Sequence, residues 1–349
     1  MTRSAVAVRT GLLLLPTYDP ARLSALAELA ESAGYDDLWL ADERFFREVY
    51  ASLTLCALRT RRIRLGPCVT DPYSRHPALT AMAIATLDEI SNRRAVLGIG
   101  AGVSGFRELG VDASRSAVAI HEAIDLIRRL LAGESVTMKG REVSFQDGRL
   151  DFTPPRCDLP IYVASQRAAG CRVAGRLADG AIMQGAVADP LVHFFRETVH
   201  GATREAGRDP AHVSLLARLN VCVADDRAAA RDVMRPGIVR SLSAQRPDFF
   251  TFATAGLTLP APLRDKVMAL PYTHDPAPLR AVAPDVPDAF VDAVTLTGPP
   301  AAIAPDVIRL ARSGITEIMV YPLALDGRIE TTIERFQAEV MPRVKAEIG

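Results

Sequence analysis

The sequence predicts an α/β fold of the (β/α)8 TIM-barrel class with insertions, and three observations carry that expectation. Short apolar runs alternate with amphipathic stretches along nearly all of the 349 residues. The runs number eight, the count that closes a barrel. The length suits one barrel carrying extra segments, so a single core over 1–349 is expected.

The eight expected strands are residues 10–16, 36–41, 62–69, 94–100, 160–164, 179–184, 213–222 and 315–320. Between the first two, Asp19-Pro20 sets a capping carboxylate ahead of a proline suited to a first helical turn, Leu23, Leu26, Ala27 and Ala30 repeat at helical spacing, and Gly34 stops the helix. Further helices are expected near 48–60, 77–90, 114–132, 167–177, 189–207, 225–240, 300–313 and 327–346. Strands joined by helices in this way run parallel. Two stretches break the rhythm. Residues 133–159 hold Gly133, Gly140 and Gly148 between short β-like pieces and read as an added hairpin. Residues 241–296 are rich in Pro, Ala and Asp, with enough apolar residues for short helices, and read as an insertion and a candidate lid.

Composition narrows the function. A formal net charge of +0 gives no electrostatic case for nucleic acid or an anionic membrane. Cys56, Cys68, Cys157, Cys171 and Cys222 are odd in number and form no C-x-x-C pair, which fits neither a disulfide framework nor a zinc site and points to a reducing cytoplasm. The apolar run near the N-terminus is short and broken by Arg9, unlike a secretory signal, and no stretch approaches the length of a membrane span. No metal-ligand spacing is found: His193 and His200 lie seven apart on one expected helix and read as a surface or subunit-facing stripe. His76, just before Pro77, reads as a helix cap.

Barrel active sites lie at the C-terminal ends of the strands. The segments there are Ala41-Asp42-Glu43-Arg44, the run from Cys68 to Pro77, Gly100 to Gly105, and Ala164-Ser165-Gln166-Arg167. Small residues that let a ligand approach the backbone, with hydroxyls and Arg near a helix start, suit a large planar ligand with a phosphate tail. Tight βα turns alone would also favour small residues. Phe45 and Phe46 are equally suited to wall a substrate pocket or to pack in the core. Schiff-base chemistry is set aside because Lys139, Lys266 and Lys345 are the only lysines and none falls at a strand end.

The runs LWLADERFFREVYASLTL, RIRLGPCVTDPYSRHPALTAMAIATLDEISNRRAVLGIGAG and LPIYVASQRAAGCRVAGRLADGAI resemble the bacterial-luciferase-like superfamily, and within it the methylenetetrahydromethanopterin reductase branch, which uses the deazaflavin coenzyme F-420. The resemblance covers nearly the whole chain and is weakest between 241 and 290. It implies that Asp42 and Glu43 approach the deazaflavin ring edge, and that Cys68-Val69 takes the place of a non-prolyl cis peptide forming a bulge behind the ring. It further implies Thr70, Ala101 and Gly102 beside the cofactor, and Gln166, Arg167, Ala169 and Gly170 at its phosphate, where a helix dipole favours an anion. Cys68 is read as packing at the bulge rather than as a nucleophile.

Departures from the branch shape the substrate expectation. Its strand-one pattern carries a glutamate where this chain has Leu13, and the related sugar-phosphate dehydrogenases carry a histidine and an acid where this chain has Glu43 and Val103. The expectation is therefore a small organic substrate that is neither a pterin nor a sugar phosphate, with hydride passing to or from C5 of the deazaflavin and Glu43 as the candidate proton relay. Two alternatives stand: an FMN-dependent monooxygenase on the same scaffold, and a barrel that binds cofactor without turnover. The family, together with apolar residues such as Tyr50, Leu53, Leu55, Ala57 and Leu58, implies a homodimer.

Overall fold

The computed structural model describes residues 8–43, 45–102, 106–271, 273 and 275–348. In chain order the first half reads β1 (Arg9–Leu14), α1 (Pro20–Ala33), β2 (Asp37–Leu40), α2 (Val49–Arg59), β3 (Arg64–Pro67), α3 (Pro77–Ile90), β4 (Leu97–Gly100), α4 (Phe106–Leu109), α5 (Ser116–Leu131), β5 (Val136–Lys139), β6 (Ser144–Gly148), β7 (Ile161–Ala164) and α6 (Ala168–Leu177). The second half reads β8 (Gly180–Gln184), α7 (Asp189–Glu205), β9 (Ser214–Val223), α8 (Arg227–Ala244), α9 (Phe250–Thr254), α10 (Ala261–Ala269), α11 (Pro276–Val282), α12 (Asp288–Asp292), β10 (Thr295–Gly298), α13 (Pro300–Arg312), β11 (Glu317–Pro322), α14 (Ile329–Arg335) and α15 (Met341–Ile348). Each of the eight expected strands is present, as β1, β2, β3, β4, β7, β8, β9 and β11, and the chain is a (β/α)8 barrel of the α/β class.

Two compact units can be distinguished. One, residues 10–182 with 198–215, holds a continuous parallel sheet. Gly11 pairs with Asp37 and Asp37 with Arg64, bridges Leu65–Ala95 and Thr70–Ile99 join β3 to β4, Leu97 pairs with Ile161, and Tyr162 with Gly180. These strands are buried along almost their whole length, as expected where helices cover a parallel sheet. The other unit, made of the described residues among 8–9, 183–197 and 216–348, pairs β9 in parallel with both β11 and β10.

Local signals in the sequence explain the helix ends. Asp19 accepts the Arg22 N–H at 2.9 Å, Pro20 opens α1, and Gly34 closes it at φ 94°, a left-handed conformation open to glycine without penalty. His76 caps α3, its Nδ1 accepting the Ala78 N–H at 3.2 Å. Residues 136–148 make an antiparallel hairpin in which Lys139 pairs with Ser144. Glu122 of α5 secures it by accepting the N–H groups of Arg141, Glu142 and Val143 at 2.8, 2.9 and 2.9 Å.

Residues 241–296 hold the short helices α9 to α12, which with α8 bury their own apolar cluster, including Met234, Ile238, Leu242, Phe252, Val267 and Phe290. Strand β10 lies here too and was not expected: Thr295–Gly298 is four residues, too short to show a period. The helix expected over 327–346 is broken by a π turn at Phe336–Val340. Among the described residues no helix is long and apolar enough to cross a membrane.

Candidate active site

The eleven residues singled out by sequence all lie in the unit of residues 10–182. They follow the C-terminal ends of four strands, β2, β3, β4 and β7. Register brings these ends side by side: Leu40 pairs with Pro67, Thr70 bridges Ile99, and Gly100 pairs with Ala164.

The peptide between Cys68 and Val69 is cis. Around it the chain stays tied to both neighbours, since the Cys68 N–H donates to Leu40 O at 2.7 Å, the Thr70 N–H to Gly98 O at 3.0 Å, and the Gly100 N–H to Thr70 O at 2.9 Å. The Val69 side chain lies over glycines of β4. A Cβ on Gly100 would sit 2.7 Å from Val69 Cγ2, and one on Gly98 would sit 2.3 Å from Pro67 O and 3.3 Å from Val69 Cγ1. A bulge carrying a branched side chain fits here because β4 reads LGIG.

Asp42 is the best-defined acid of the site. Its Oδ2 meets Arg75 Nη1 at 3.0 Å, and the same nitrogen lies 3.4 Å from Thr70 Oγ1. Nη2 of Arg75 donates to Glu48 Oε1 at 2.6 Å, while its guanidinium carbon stands 4.8 Å above the Tyr50 ring. Burial pushes the Asp42 carboxyl above the usual range, and the Arg75 charge and the Thr70 hydroxyl oppose that rise. Tyr50 is buried, its phenol pushed upward by burial, with Arg75 and a hydrogen bond to Thr70 opposing that rise. Glu43 follows Asp42 and is half-buried, with its carbonyl accepting the Phe46 N–H at 3.3 Å.

The third cluster opens α6. Arg167 stands at the cap position without a side-chain capping bond, so the first N–H groups of this ten-residue helix have no side-chain acceptor from the cap. Ser165 Oγ accepts the Arg167 N–H at 3.0 Å. Gly170 is buried against that serine, and a Cβ there would lie 2.4 Å from its Oγ. Gln166 is half-buried and Ala169 exposed. A terminus of this form suits a phosphate, and with Tyr50, Asp42 and the strand-end small residues the site fits a flavin-like group.

Ala101 and Gly102 are half-buried, and Gly102 takes φ 68°. Val103, whose identity entered the substrate expectation, lies outside the described residues, as do Arg44, Ser104 and Gly105. Phe45 and Phe46 are 71% and 37% exposed, so neither packs in the core. The sequence did not point to Arg75 or Glu48, and it offered Tyr50 for a dimer surface, whereas Tyr50, Leu53 and Ala57 are buried. The link of Arg75 to Asp42 crosses 33 residues, a distance at which charge pairing leaves no periodic trace. The second unit holds a polar group of its own on β9 and β11: Arg218 Nη1 donates to Asn220 Oδ1 at 2.9 Å and stacks 4.8 Å from the Tyr321 ring. Among the described residues, no three His, Cys, Asp or Glu side chains come together as a metal site requires.

Relatives correct the substrate expectation. The chain is 30% identical to the 5,10-methylenetetrahydromethanopterin reductase of Archaeoglobus fulgidus over 97% of its own length and 100% of that protein. It is 28% identical to an F-420-dependent glucose-6-phosphate dehydrogenase of Beutenbergia cavernae, covering 94% of this chain and 95% of that one. Among solved structures, the coenzyme F-420-dependent tetrahydromethanopterin reductase of Methanopyrus kandleri superposes with a TM-score of 0.85 at 24% identity, over 97% of this chain and 99% of that one. A substrate that excludes pterins and sugar phosphates is therefore the wrong expectation. It rested on Leu13, Glu43 and Val103; Leu13 is a core residue of β1 only 3% exposed, and a few single positions do not decide a substrate class against likeness along the whole chain. The model of the luciferase-like monooxygenase family matches residues 3–317, and the chain belongs to that family.

Proposed function

We propose that the protein is a coenzyme F-420-dependent oxidoreductase that transfers hydride between C5 of the deazaflavin and a reduced pterin bearing a one-carbon group. The observation that carries this reading is the conjunction, on four adjacent strand ends, of the ion-paired Asp42, the Val69 bulge over the β4 glycines and the uncapped start of α6. Likeness to the Archaeoglobus fulgidus reductase over 97% of the chain supports the substrate class. The cofactor, when bound, supplies the hydride chemistry. The chain's residues do the rest. The N–H groups at the start of α6, with Gln166, Arg167, Ala169 and Gly170, hold the phosphate. Cys68, Val69 and Thr70 support one face of the ring, with Ala101 and Gly102 beside it, and Asp42 orients its edge. Glu43 is the candidate for moving a proton at its carboxyl, since transfer of hydride to a cationic or neutral acceptor must be balanced by proton traffic at the substrate or the ring.

A second copy of the chain is the proposed partner. Leu58 on α2 and Leu79, Met82 and Ile90 on α3 are between 40% and 70% exposed, an apolar set on neighbouring helices. The five cysteines are free thiols, and on that ground we place the protein in a reducing cytoplasm.

Parallel titrations with F-420 and with FMN, each oxidised and reduced and followed by fluorescence, test the cofactor. Tight, selective binding of the deazaflavin is expected, and a preference for reduced FMN would overturn it in favour of oxygen chemistry. Turnover is then read from F-420 absorbance with methylene-tetrahydropterin as substrate. Binding without turnover of any pterin would refute the substrate class.

A further inference from the structure

Arg75 lies outside the set of residues that the family resemblance implies, yet it is the most connected side chain at these strand ends. It comes from the loop between β3 and α3 and reaches the loop between β2 and α2 twice, at Asp42 Oδ2 (3.0 Å) and at Glu48 Oε1 (2.6 Å). It also approaches Thr70 Oγ1 and stacks on Tyr50. Glu48 is itself fixed, because its other oxygen caps α2 by accepting the Ala51 N–H at 2.7 Å. The planar fork is thus held on both nitrogens and on one face, an arrangement that a flexible ammonium cannot reproduce.

We propose that Arg75 is a positioning residue of the cofactor site, clamping Asp42 in one orientation and keeping it a carboxylate where the ring edge is to be met. The proposal rests on the reading of Asp42 as a cofactor contact, but its physical core, control of Asp42 by Arg75, can be measured without cofactor. Asp42 is mostly buried, with 18% of its side chain exposed, and burial favours the neutral acid. Among the described residues, the groups that act on Asp42 are Arg75, Asp71 and the Thr70 hydroxyl, all from the loop after β3, while Glu48 and Tyr50 meet Arg75. Arg75 is the one cation among these. Without it, burial and the Asp71 carboxylate act in the same direction, toward a protonated Asp42 that donates where the site needs an acceptor.

The test uses full-length protein labelled with carboxyl-13C aspartate and free of cofactor, with the Asp42 signal assigned by its loss in Asp42→Asn. Arg75→Met is expected to move the Asp42 titration to higher pH than in the wild type, and Arg75→Lys to restore part of the shift. Arg75→Gln, which keeps a donor but no charge, gives the same reading should Arg75→Met fail to fold, and a thermal melt checks each variant. An unmoved Asp42 titration in either folded neutral variant overturns the proposal. F-420 affinity at neutral pH then separates the two layers. About a tenfold loss is expected in Asp42→Asn and in the neutral Arg75 variant, with the double variant no weaker than Asp42→Asn alone, because both changes remove one contact. If Asp42→Asn binds F-420 as the wild type does while the titration still shifts, the contact with the ring is refuted, and with it Arg75 as a positioning residue, while the deazaflavin reading stands on the wild-type affinity.

Discussion

Substituting Gly100 by alanine probes the support beneath the Cys68–Val69 bulge. The new Cβ would sit 2.7 Å from Val69 Cγ2, where carbon atoms rest near 3.5–4.0 Å, so roughly 1 Å of movement is needed. Overpacking of this kind costs about 1–3 kcal/mol, and a value near 2 is expected. Val69→Ala removes two half-buried methyl groups and should cost about 1 kcal/mol. In the double variant the same methyls are gone and the alanine keeps only the closer contact with Ala164 O at 3.3 Å, so the loss should fall well below the sum of about 3 kcal/mol. Trp39, the only tryptophan and fully buried on β2 in the same unit, reports unfolding in urea by its fluorescence. The midpoints give the three losses if the slope with denaturant is unchanged. Additive losses, or a Gly100→Ala variant as stable as the wild type, would refute the wedge.

Three further outcomes are expected. Asp88 is fully buried, accepts the Ala95 N–H at 3.0 Å and pairs with Arg156 Nη2 at 2.9 Å; Asp88→Ala strands the arginine and should cost about 3 kcal/mol in urea melts, whereas a loss under 1 would refute the pairing as structural. Glu122 tends upward through burial, but three backbone N–H groups outweigh that and hold its carboxyl below the usual range, so its contribution is full above the ordinary glutamate pKa and is lost as pH falls through the lowered folded value. Melts of wild type and Glu122→Gln should therefore differ at pH 7 and converge as pH falls below that lowered folded value, and an unchanged gap through acid pH would count against the linkage. Gly170→Ala pushes on Ser165 at the mouth of α6; it should weaken F-420 binding about tenfold while Ser165→Gly/Gly170→Ala recovers it, and equal affinities in all forms would remove the phosphate from this helix.

Much of the barrel was legible because its strands are buried on both faces and so appear as uninterrupted apolar runs, as in Leu12-Leu13-Leu14 and Ile161-Tyr162-Val163. Caps were legible for a related reason: Asp19-Pro20, Gly34 and His76-Pro77 act within three or four residues of their own helix. What escaped is what depends on distant partners. Strand β10 exists through its pairing with β9, not through any pattern within Thr295–Gly298. Arg75 reads as one charge in a polar loop until folding sets it between Asp42 and Glu48.

The same distinction explains why sequence suggests a cofactor site more readily than a substrate. The contacts proposed for a planar cofactor with a phosphate tail are largely backbone: glycines under a bulge and N–H groups at a helix start. Backbone of this kind tolerates few residue types, so its constraints are written locally as Gly98, Gly100, Gly170 and the small residues around them. Substrate choice is a difference of affinities summed over side chains that can be exchanged singly. Leu13, Glu43 and Val103 were made to stand for that whole sum, and likeness over 97% of the chain to a methylenetetrahydromethanopterin reductase outweighs them. Arg218, Asn220 and Tyr321, polar side chains on β9 and β11, can each be exchanged in this way. Exchanging them one at a time and measuring kcat and KM separately would distinguish residues that only bind substrate, which move KM, from residues used in the transition state, which move kcat.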